Sequence, residues 1–295
     1  MGMTVSRRAA LLGPLALLPV VVARGMDARA ADGTLAALQA LEARHGGRLG
    51  VAVLDTATGA RIDHRADERF PMCSTFKFLA AAFVLARVDR GEEGLERQVA
   101  ISRSDLVTRD GRVGWSPVTE PRAGTAMSVA EPCAAAVTMS DNSAANLLLR
   151  SFGGPAALTQ FARSLGDEVT RLDRMEPDLN EAVPGDPRDT TSPAAMLGTM
   201  RRLLDGDTLT PASRAHLTAW MVATDTGSRR LRAGLPADWR AGDKTGGTHG
   251  VANDIAVAWP PGRAPMLITA YYAEFSGTDE QRDAVLADVA RIAVR

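Results

Sequence analysis

Two lysines stand apart in a chain that otherwise carries its positive charge on arginine: of 34 basic residues, only Lys77 and Lys244 are lysine. Arginine does not give up its proton, whereas a desolvated lysine amine can release one and act as a base or a proton shuttle. Two retained lysines therefore point to two places that require an ammonium, although biased codon usage with chance survivors would leave the same count. Both sit in contexts that suit chemistry. Lys77 follows Ser74 by three positions in Ser74-Thr75-Phe76-Lys77, at the head of a run, FLAAAFVLARVDRG, that predicts a helix with Gly91 beyond its end. Residues three apart share a helix face, so amine and hydroxyl are expected to meet. Lys244 opens Lys244-Thr245-Gly246 in a segment that reads as a strand.

A serine hydroxyl is a weak nucleophile until a neighbour takes its proton, and histidine is the usual neighbour. Here His45 and His64 lie near an N-terminal hairpin, His216 on a late helix and His249 in a turn. None has a metal-ligand companion at i+3 or i+4, which argues against a zinc enzyme and against a Ser-His-Asp triad. No metal and no organic cofactor is expected. Cys73, beside the serine, reads either as a reactive thiol or, more simply, as a small buried hydrophobe.

Ser74-Thr75-Phe76-Lys77, Ser140-Asp141-Asn142 and Lys244-Thr245-Gly246, in that order, resemble the motif set shared by serine β-lactamases and penicillin-binding proteins. A fourth stretch separates the two. Glu176-Pro177-Asp178-Leu179-Asn180 resembles the E-x-x-L-N loop of class A β-lactamases, whose glutamate and asparagine hold a hydrolytic water. The resemblance covers essentially the whole mature sequence. It implies that Ser74 attacks the lactam carbonyl and that the backbone N–H groups of Ser74 and Gly247 receive the oxyanion. Ser140 then passes a proton to the departing nitrogen between Lys77 and Lys244, and Asn142 holds the substrate's side-chain amide. Glu176, supported by Asn180, activates the deacylating water.

Lysine starts near pKa 10.4, so a neutral Lys77 at pH 7 needs a depression of about 3 units, worth about 4 kcal/mol, whereas Glu176 starts near about 4.3. Glu176 is thus the expected base for deacylation and is favoured for acylation, where Lys77 stays open. Lys244, Thr245, Gly246 and Gly247 are the expected substrate-binding strand. Class A enzymes usually add an arginine for the substrate carboxylate. Arg230, aligned through the Leu-Pro and Trp before the K-T-G strand, falls at one such position, with Arg229, Arg232 and Arg282 as runners-up. Arg174 and Asp189 match a pair that bridges the ends of the glutamate loop, and Trp115 falls where the family keeps an aromatic at the pocket mouth.

Some features depart from the pattern. TRDGRVG, residues 108–114, reads as an insertion before Trp115, and the turn after K-T-G is one residue short. Cys133 matches a position that some relatives disulfide-bond, but the partner position holds Ala81, so two free thiols are expected. A D,D-peptidase or penicillin-binding protein that acylates but releases slowly is the alternative function, and a non-hydrolytic penicillin sensor is a second. Glu176 argues against the first. The lack of an evident anchor or second domain argues against the other.

The elements that must position these residues follow from periodicity and caps. TLAALQALEARHGG predicts a helix stopped by Gly46-Gly47, then LGVAVLD and RIDHR a hairpin. At the far end WRAGDKTGG, VANDIAVAW and PMLITAYYA predict strands, and Thr278-x-x-Gln281 caps a closing helix. Between them, Ser128-x-x-Glu131, Ser192-Pro193 and Thr210-Pro211 mark helix starts. Residues 174–189 carry three prolines and no sustained periodicity, so they read as a long functional loop.

The expected fold is α/β, with a five-stranded antiparallel sheet flanked by the terminal helices, a second all-helical lobe, and the active site between the lobes. Residues 31–72 and 223–295 make the α/β lobe and 73–222 the helical one. With 295 residues and 45% hydrophobic composition the chain can bury a large core. Its net charge of -1 and 4% aromatics leave no footprint for nucleic acid, so the expected partner is a small-molecule β-lactam, and the protein is expected to be a monomer. Residues 1–30 read as an export signal of the twin-arginine type: Arg7-Arg8, an apolar stretch 9–23 too short for a span of about 20 residues, and Ala28-Arg29-Ala30. A periplasmic or secreted protein without stable membrane insertion is expected.

Overall fold

The computed structural model describes residues 1–2 and 28–295, the side chains of 28–31 excepted. Arg7, Arg8 and the rest of the expected signal before residue 28 lie outside the described residues. Helix α1 (Ala28–His45) turns Leu38 and Leu41 into the core and stops at Gly46 and Gly47, both at φ +71°. Strands β1 (Arg48–Asp55) and β2 (Arg61–His64) form the expected hairpin. After β3 (Phe70–Pro71) a single 3-10 turn, Cys73–Thr75, delivers the chain into α2 (Phe76–Asp89). Every residue from Phe76 to Ala82 is buried, so α2 is the central helix of its lobe and not an amphipathic surface one.

The middle of the chain continues through β4 (Gln98–Ala100), β5 (Thr108–Arg109), β6 (Arg112–Val113) and β7 (Ala126–Ser128) to α3 (Ala130–Thr138), α4 (Asn142–Ser151) and α5 (Gly154–Ser164). Beyond the long loop come β8 (Thr190–Thr191), α6 (Pro193–Leu204), α7 (Pro211–Val222) and the short α8 (Leu231–Gly234). The chain returns to the sheet as β9 (Arg240–Thr248), β10 (Val251–Trp259) and β11 (Met266–Ala273), and ends on α9 (Asp279–Ala293).

Five strands pair antiparallel in the order β2-β1-β11-β10-β9, so the two ends of the chain share one sheet. Helices cover both faces, which is why its central strands are buried almost throughout. Val51, Val53, Ile268 and Tyr272 pack with Leu38 and Leu41 of α1 and with Val285, Leu286 and Val289 of α9. On the other face Leu54, Ile255, Val257 and Tyr271 belong to one continuous core with Phe76 and Leu79 of α2 and Met196 and Met200 of α6. Fully burying one such side chain contributes about 1.5–3 kcal/mol.

The caps of the late helices form as their sequences predict. Ser192 and Thr210 accept from the N–H groups of Ala195 and Ser213, and Thr278 with Gln281 forms a complete capping box. Ser128 differs. β7 holds it opposite Gln98, and its hydroxyl donates to Glu131 where a box needs an acceptor, so α3 starts after Val129. The second lobe is mostly helical but also carries short ribbons, β4 with β7 and β5 with β6, while β8 pairs with β3. Residues 108–113 make the β5–β6 ribbon, closed by Asp110 at φ +52° and Gly111 at φ +73°, the signature of a two-residue primed turn.

Candidate active site

Ser74 lies in the turn that feeds α2, and β9 packs directly against that turn. A Cβ on Gly246 would stand 2.7 Å from the carbonyl oxygen of Met72 and 3.0 Å from the Ser74 nitrogen, so only glycine lets the strand come this close. From β10, opposite Gly246, Asn253 Nδ2 donates to the carbonyls of Pro71 (2.8 Å) and Met72 (3.1 Å), tying the turn to the sheet. Ser74 opens onto a cleft of about 570 Å³ that is also lined by Trp115, Ser140, Asn142, Asn180, Arg230, Thr245, Gly246 and Gly247.

Lys77 is fully buried behind the wall of this cleft. Its Nζ donates to the Ser140 carbonyl (2.8 Å) and to Asn142 Oδ1 (2.6 Å), and lies 3.0 Å from Glu176 Oε1. The expected direct meeting of Lys77 with the Ser74 hydroxyl is not made: among the described residues Ser74 Oγ has no hydrogen-bond partner. The reason is competition, since a carboxylate, an amide oxygen and a carbonyl already surround the amine. Ser140 sits at φ +58°, a left-handed conformation that costs a non-glycine residue about 1–2 kcal/mol. There its carbonyl faces Lys77 while its hydroxyl accepts from Lys244 Nζ at 3.0 Å.

Lys244 is wholly buried and also donates to the Thr245 carbonyl at 2.7 Å. Burial, and then the charge of Lys77, hold its amine well below the usual lysine pKa. The Thr245 hydroxyl is paired with Thr226 Oγ1 at 2.6 Å.

Glu176 is buried, and its Oε2 accepts from Asn180 Nδ2 at 2.5 Å. Asn180 Oδ1 is a buried acceptor with no partner. The backbone of Glu176 is clamped by Asn146, whose Oδ1 accepts from its N–H (3.0 Å) and whose Nδ2 donates to its carbonyl (2.9 Å). At the base of the loop, Arg174 Nε pairs with Asp189 Oδ2 at 2.6 Å, while Asp189 Oδ1 accepts from the N–H groups of Asp173 and Arg174.

Trp115 is 58% exposed at the mouth and anchored by its Nε1 donating to the Met139 carbonyl at 2.6 Å. Asp141, fully buried, accepts from the N–H groups of Val118 and Thr119 and caps α4 at Ala144, so the loop carrying Trp115 and the helix carrying Asn142 are set as one piece. Arg230 reaches the cleft from the residue before α8. Its Nε donates to Asp283 (2.7 Å) and its Nη1 to the carbonyls of Gly246 (2.7 Å) and Asn253 (2.8 Å). Of its rivals, Arg232 is paired with Asp243 and Arg229 is 69% exposed, while Arg282 lines the cleft near Arg230. His249, read from sequence as a turn residue, also lines the mouth.

The structure thus brings every sequence-selected residue to one cleft, to the wall behind it, or to the loop that closes it. Asn146, Asn253 and Asp283 were missed, and Asp141 was named only as the middle of its motif, without a role. Asn146 had a signal, being one turn after Asn142 on the same helix face; the others act across long sequence separations. Among the described residues no cluster of three or more metal-ligating side chains is present, and no helix is long and apolar enough to cross a membrane. Both cysteines are buried and free.

Residues 35–295 match the family described as the β-lactamase enzyme family. The chain is 45% identical over 291 residues to β-lactamase Toho-1 of Escherichia coli, covering 98% of each chain. It is 48% identical over 256 residues to a β-lactamase of Streptomyces albus G, covering 86% of this chain and 82% of that one. An ancestral class A β-lactamase matches its structure with a TM-score of 0.85 at 64% identity, covering 88% of this chain and 98% of the other.

Proposed function

The chain belongs to the β-lactamase enzyme family, in class A, and we propose that it hydrolyses β-lactams through an acyl-enzyme on Ser74 that is released by water activated by Glu176. In acylation the Ser74 oxygen bonds to the lactam carbonyl carbon as its proton passes through water to Glu176. The oxyanion is received by the N–H groups of Ser74 and Gly247, a type of interaction worth about 3–4 kcal/mol per donor. The lactam C–N bond breaks as Ser140, held between Lys244 and the Lys77 side of the site, gives the nitrogen a proton. Asn142 keeps its amide nitrogen for the substrate's side chain, and Lys244, Thr245 and Arg230 meet the substrate carboxylate. Trp115 forms one lip of the mouth.

In deacylation Glu176 takes a proton from water, whose oxygen adds to the ester carbonyl; the Ser74–acyl bond then breaks as that proton returns to the Ser74 oxygen, and the product leaves as the ring-opened acid. One observation carries this reading. Glu176 is a buried carboxylate with one oxygen at Lys77 and the other held by Asn180, whose own Oδ1 is an unpartnered buried acceptor suited to a water. The same geometry supports Glu176 for acylation, because a proton it takes from Ser74 can pass through Lys77, 3.0 Å away, toward Ser140 and the lactam nitrogen, which leaves the carboxylate ready for deacylation.

We further assign residues 31–72 and 223–295 to the sheet lobe and 73–222 to the other, and residues 1–30 to an export signal removed from a monomeric enzyme. Working outside the cytoplasm, the enzyme would give its cell resistance to β-lactam antibiotics.

Turnover of a chromogenic β-lactam by wild type and by Glu176→Ala, followed by intact mass, tests the mechanism. The wild type should hydrolyse without a lasting adduct, and the variant should hold one acyl group on Ser74. Full turnover by Glu176→Ala would remove the glutamate from the mechanism, and a lasting adduct on the wild type would favour the D,D-peptidase reading.

A further inference from the structure

The β5–β6 ribbon occupies the stretch that reads as an insertion before Trp115, and its base is fixed at the cleft. The Gly114 N–H donates to the Val107 carbonyl at 2.8 Å, the Val107 N–H donates to Ser143 Oγ at 2.8 Å, and that hydroxyl pairs with Ser116 Oγ at 2.7 Å. The Asn142 N–H donates to the Trp115 carbonyl, also at 2.8 Å, so the ribbon, the mouth and the first turn of α4 form one piece. A Cβ on Gly114 would stand 3.9 Å from Asn142 Nδ2, so the face of the ribbon at that position is turned toward the amide nitrogen kept for the substrate's side chain. Side chains two apart on a strand share a face, and so do residues directly opposite across a pair of strands. Arg112, two residues before Gly114, and Arg109, opposite Arg112, therefore lie on that same face, about 7 Å further out along the ribbon.

What these arginines lack is a partner. Both are exposed, and among the described residues neither guanidinium makes an ion pair or a hydrogen bond, whereas the equally exposed Arg90 and Arg97 each hold a glutamate. Like charges directly opposite one another weigh against strand pairing, so the ribbon carries a local cost that an anion between the two arginines would relieve. We propose that the ribbon is a specificity element for the acyl side chain: Arg109 and Arg112 form a cationic arm that favours β-lactams carrying a second anionic group, a carboxylate or a sulfonate, on that side chain. This rests on the reading of Asn142 as the holder of the side-chain amide, which brings the side chain to the ribbon's end of the cleft. A guanidinium fork meets either acid through paired N–H donors. Because both arginines are exposed, the gain is modest and sensitive to salt.

The test compares benzylpenicillin with carbenicillin, which differs from it only by a carboxylate on the carbon next to the side-chain carbonyl. Steady-state kinetics are measured for both in wild type, in Arg109→Gln with Arg112→Gln, and in Arg109→Glu with Arg112→Glu, all changes confined to exposed side chains. The glutamine pair should lower kcat/KM for carbenicillin about fivefold, chiefly through KM, and leave benzylpenicillin within about twofold. The glutamate pair should lower carbenicillin further, and in about 1 M salt, where charges are screened beyond about 3 Å, wild type and variants should converge. Equal losses on both penicillins would mark the ribbon as a mere support of the mouth and overturn the proposal, as would unchanged carbenicillin kinetics in the glutamate pair. Asn142→Ala keeps the failures apart, since it should slow both penicillins. If it leaves benzylpenicillin untouched, the placement of the side chain falls and the proposal with it. If the wild type turns over neither penicillin, the β-lactamase reading itself is overturned.

Discussion

At the scale of single residues, the site is built by giving each ionisable group a partner that limits what it can do. Lys77 stands against Glu176 and two neutral acceptors, whereas Lys244 has only hydroxyl and carbonyl partners, Ser140 Oγ and the Thr245 carbonyl. That contrast has a pH consequence. Burial and the Lys77 charge hold Lys244 below the usual lysine value, so its ammonium is lost at a lower pH than that of a free lysine. If the ammonium is the form that binds and relays, kcat/KM should fall on the alkaline side with an apparent pKa below about 10.4. Lys244→Arg, which cannot lose its proton, should move that limb upward even where the absolute rate drops. A pH profile from neutral to alkaline decides it, and an unmoved limb would place the titration elsewhere. Stability responds to pH in the opposite direction. A folded pKa below the unfolded one means the charged amine weighs against the fold, and this penalty fades as pH rises through the folded pKa toward the unfolded value.

At the scale of elements, the loop from 174 to 189 shows how an irregular segment is fixed without periodicity of its own. Asp189 closes it by accepting two backbone N–H groups and the Arg174 guanidinium, and β8 pairs with β3 just ahead of Ser74. Asp189→Ala strands those donors, and losing a buried charge-assisted set of this kind costs about 2–4 kcal/mol. Because the clamp also sets Glu176, deacylation should suffer more than acylation. Stopped-flow traces should show a burst followed by slow turnover, with a lower Tm; a proportional loss in both steps would separate the clamp from the water. The long strands, the cap-then-proline helix starts and the long loop were legible because alternation, proline and glycine act locally. The β3–β8 pair was not, since two residues are too few for any period. Ser128 misled because strand pairing outcompeted its cap. Asp283 and Asn253 were invisible for another reason: their partners lie dozens or more residues away, and only the packed sheet brings them together.

For the molecule as a whole, the sheet and the helical lobe share a core. Ile255, Val257 and Tyr271 from the sheet belong to the same apolar cluster as Phe76, Leu79, Cys133 and Leu148 from the helices, and the chain leaves the sheet and returns to it. Such continuity predicts that the two lobes unfold together, although a chain of this size can populate intermediates. The two cysteines report on this from different places. Cys73 sits in the turn bearing the nucleophile, its thiol pushed up to about 12 by burial and then by the Glu176 charge, while Cys133 is buried in α3 with its thiol raised by burial. The native enzyme should therefore be silent to a thiol reagent at neutral pH, because both the thiolate and access are withheld. Two thiols per chain should titrate in denaturant without prior reduction. Followed against urea, both should appear in one step that coincides with loss of activity and of helical circular dichroism. Exposure of Cys133 at lower urea than Cys73 would show that α3 comes apart while the turn held by β9 and β10 is still folded, and that the shared core does not couple the helices to the sheet.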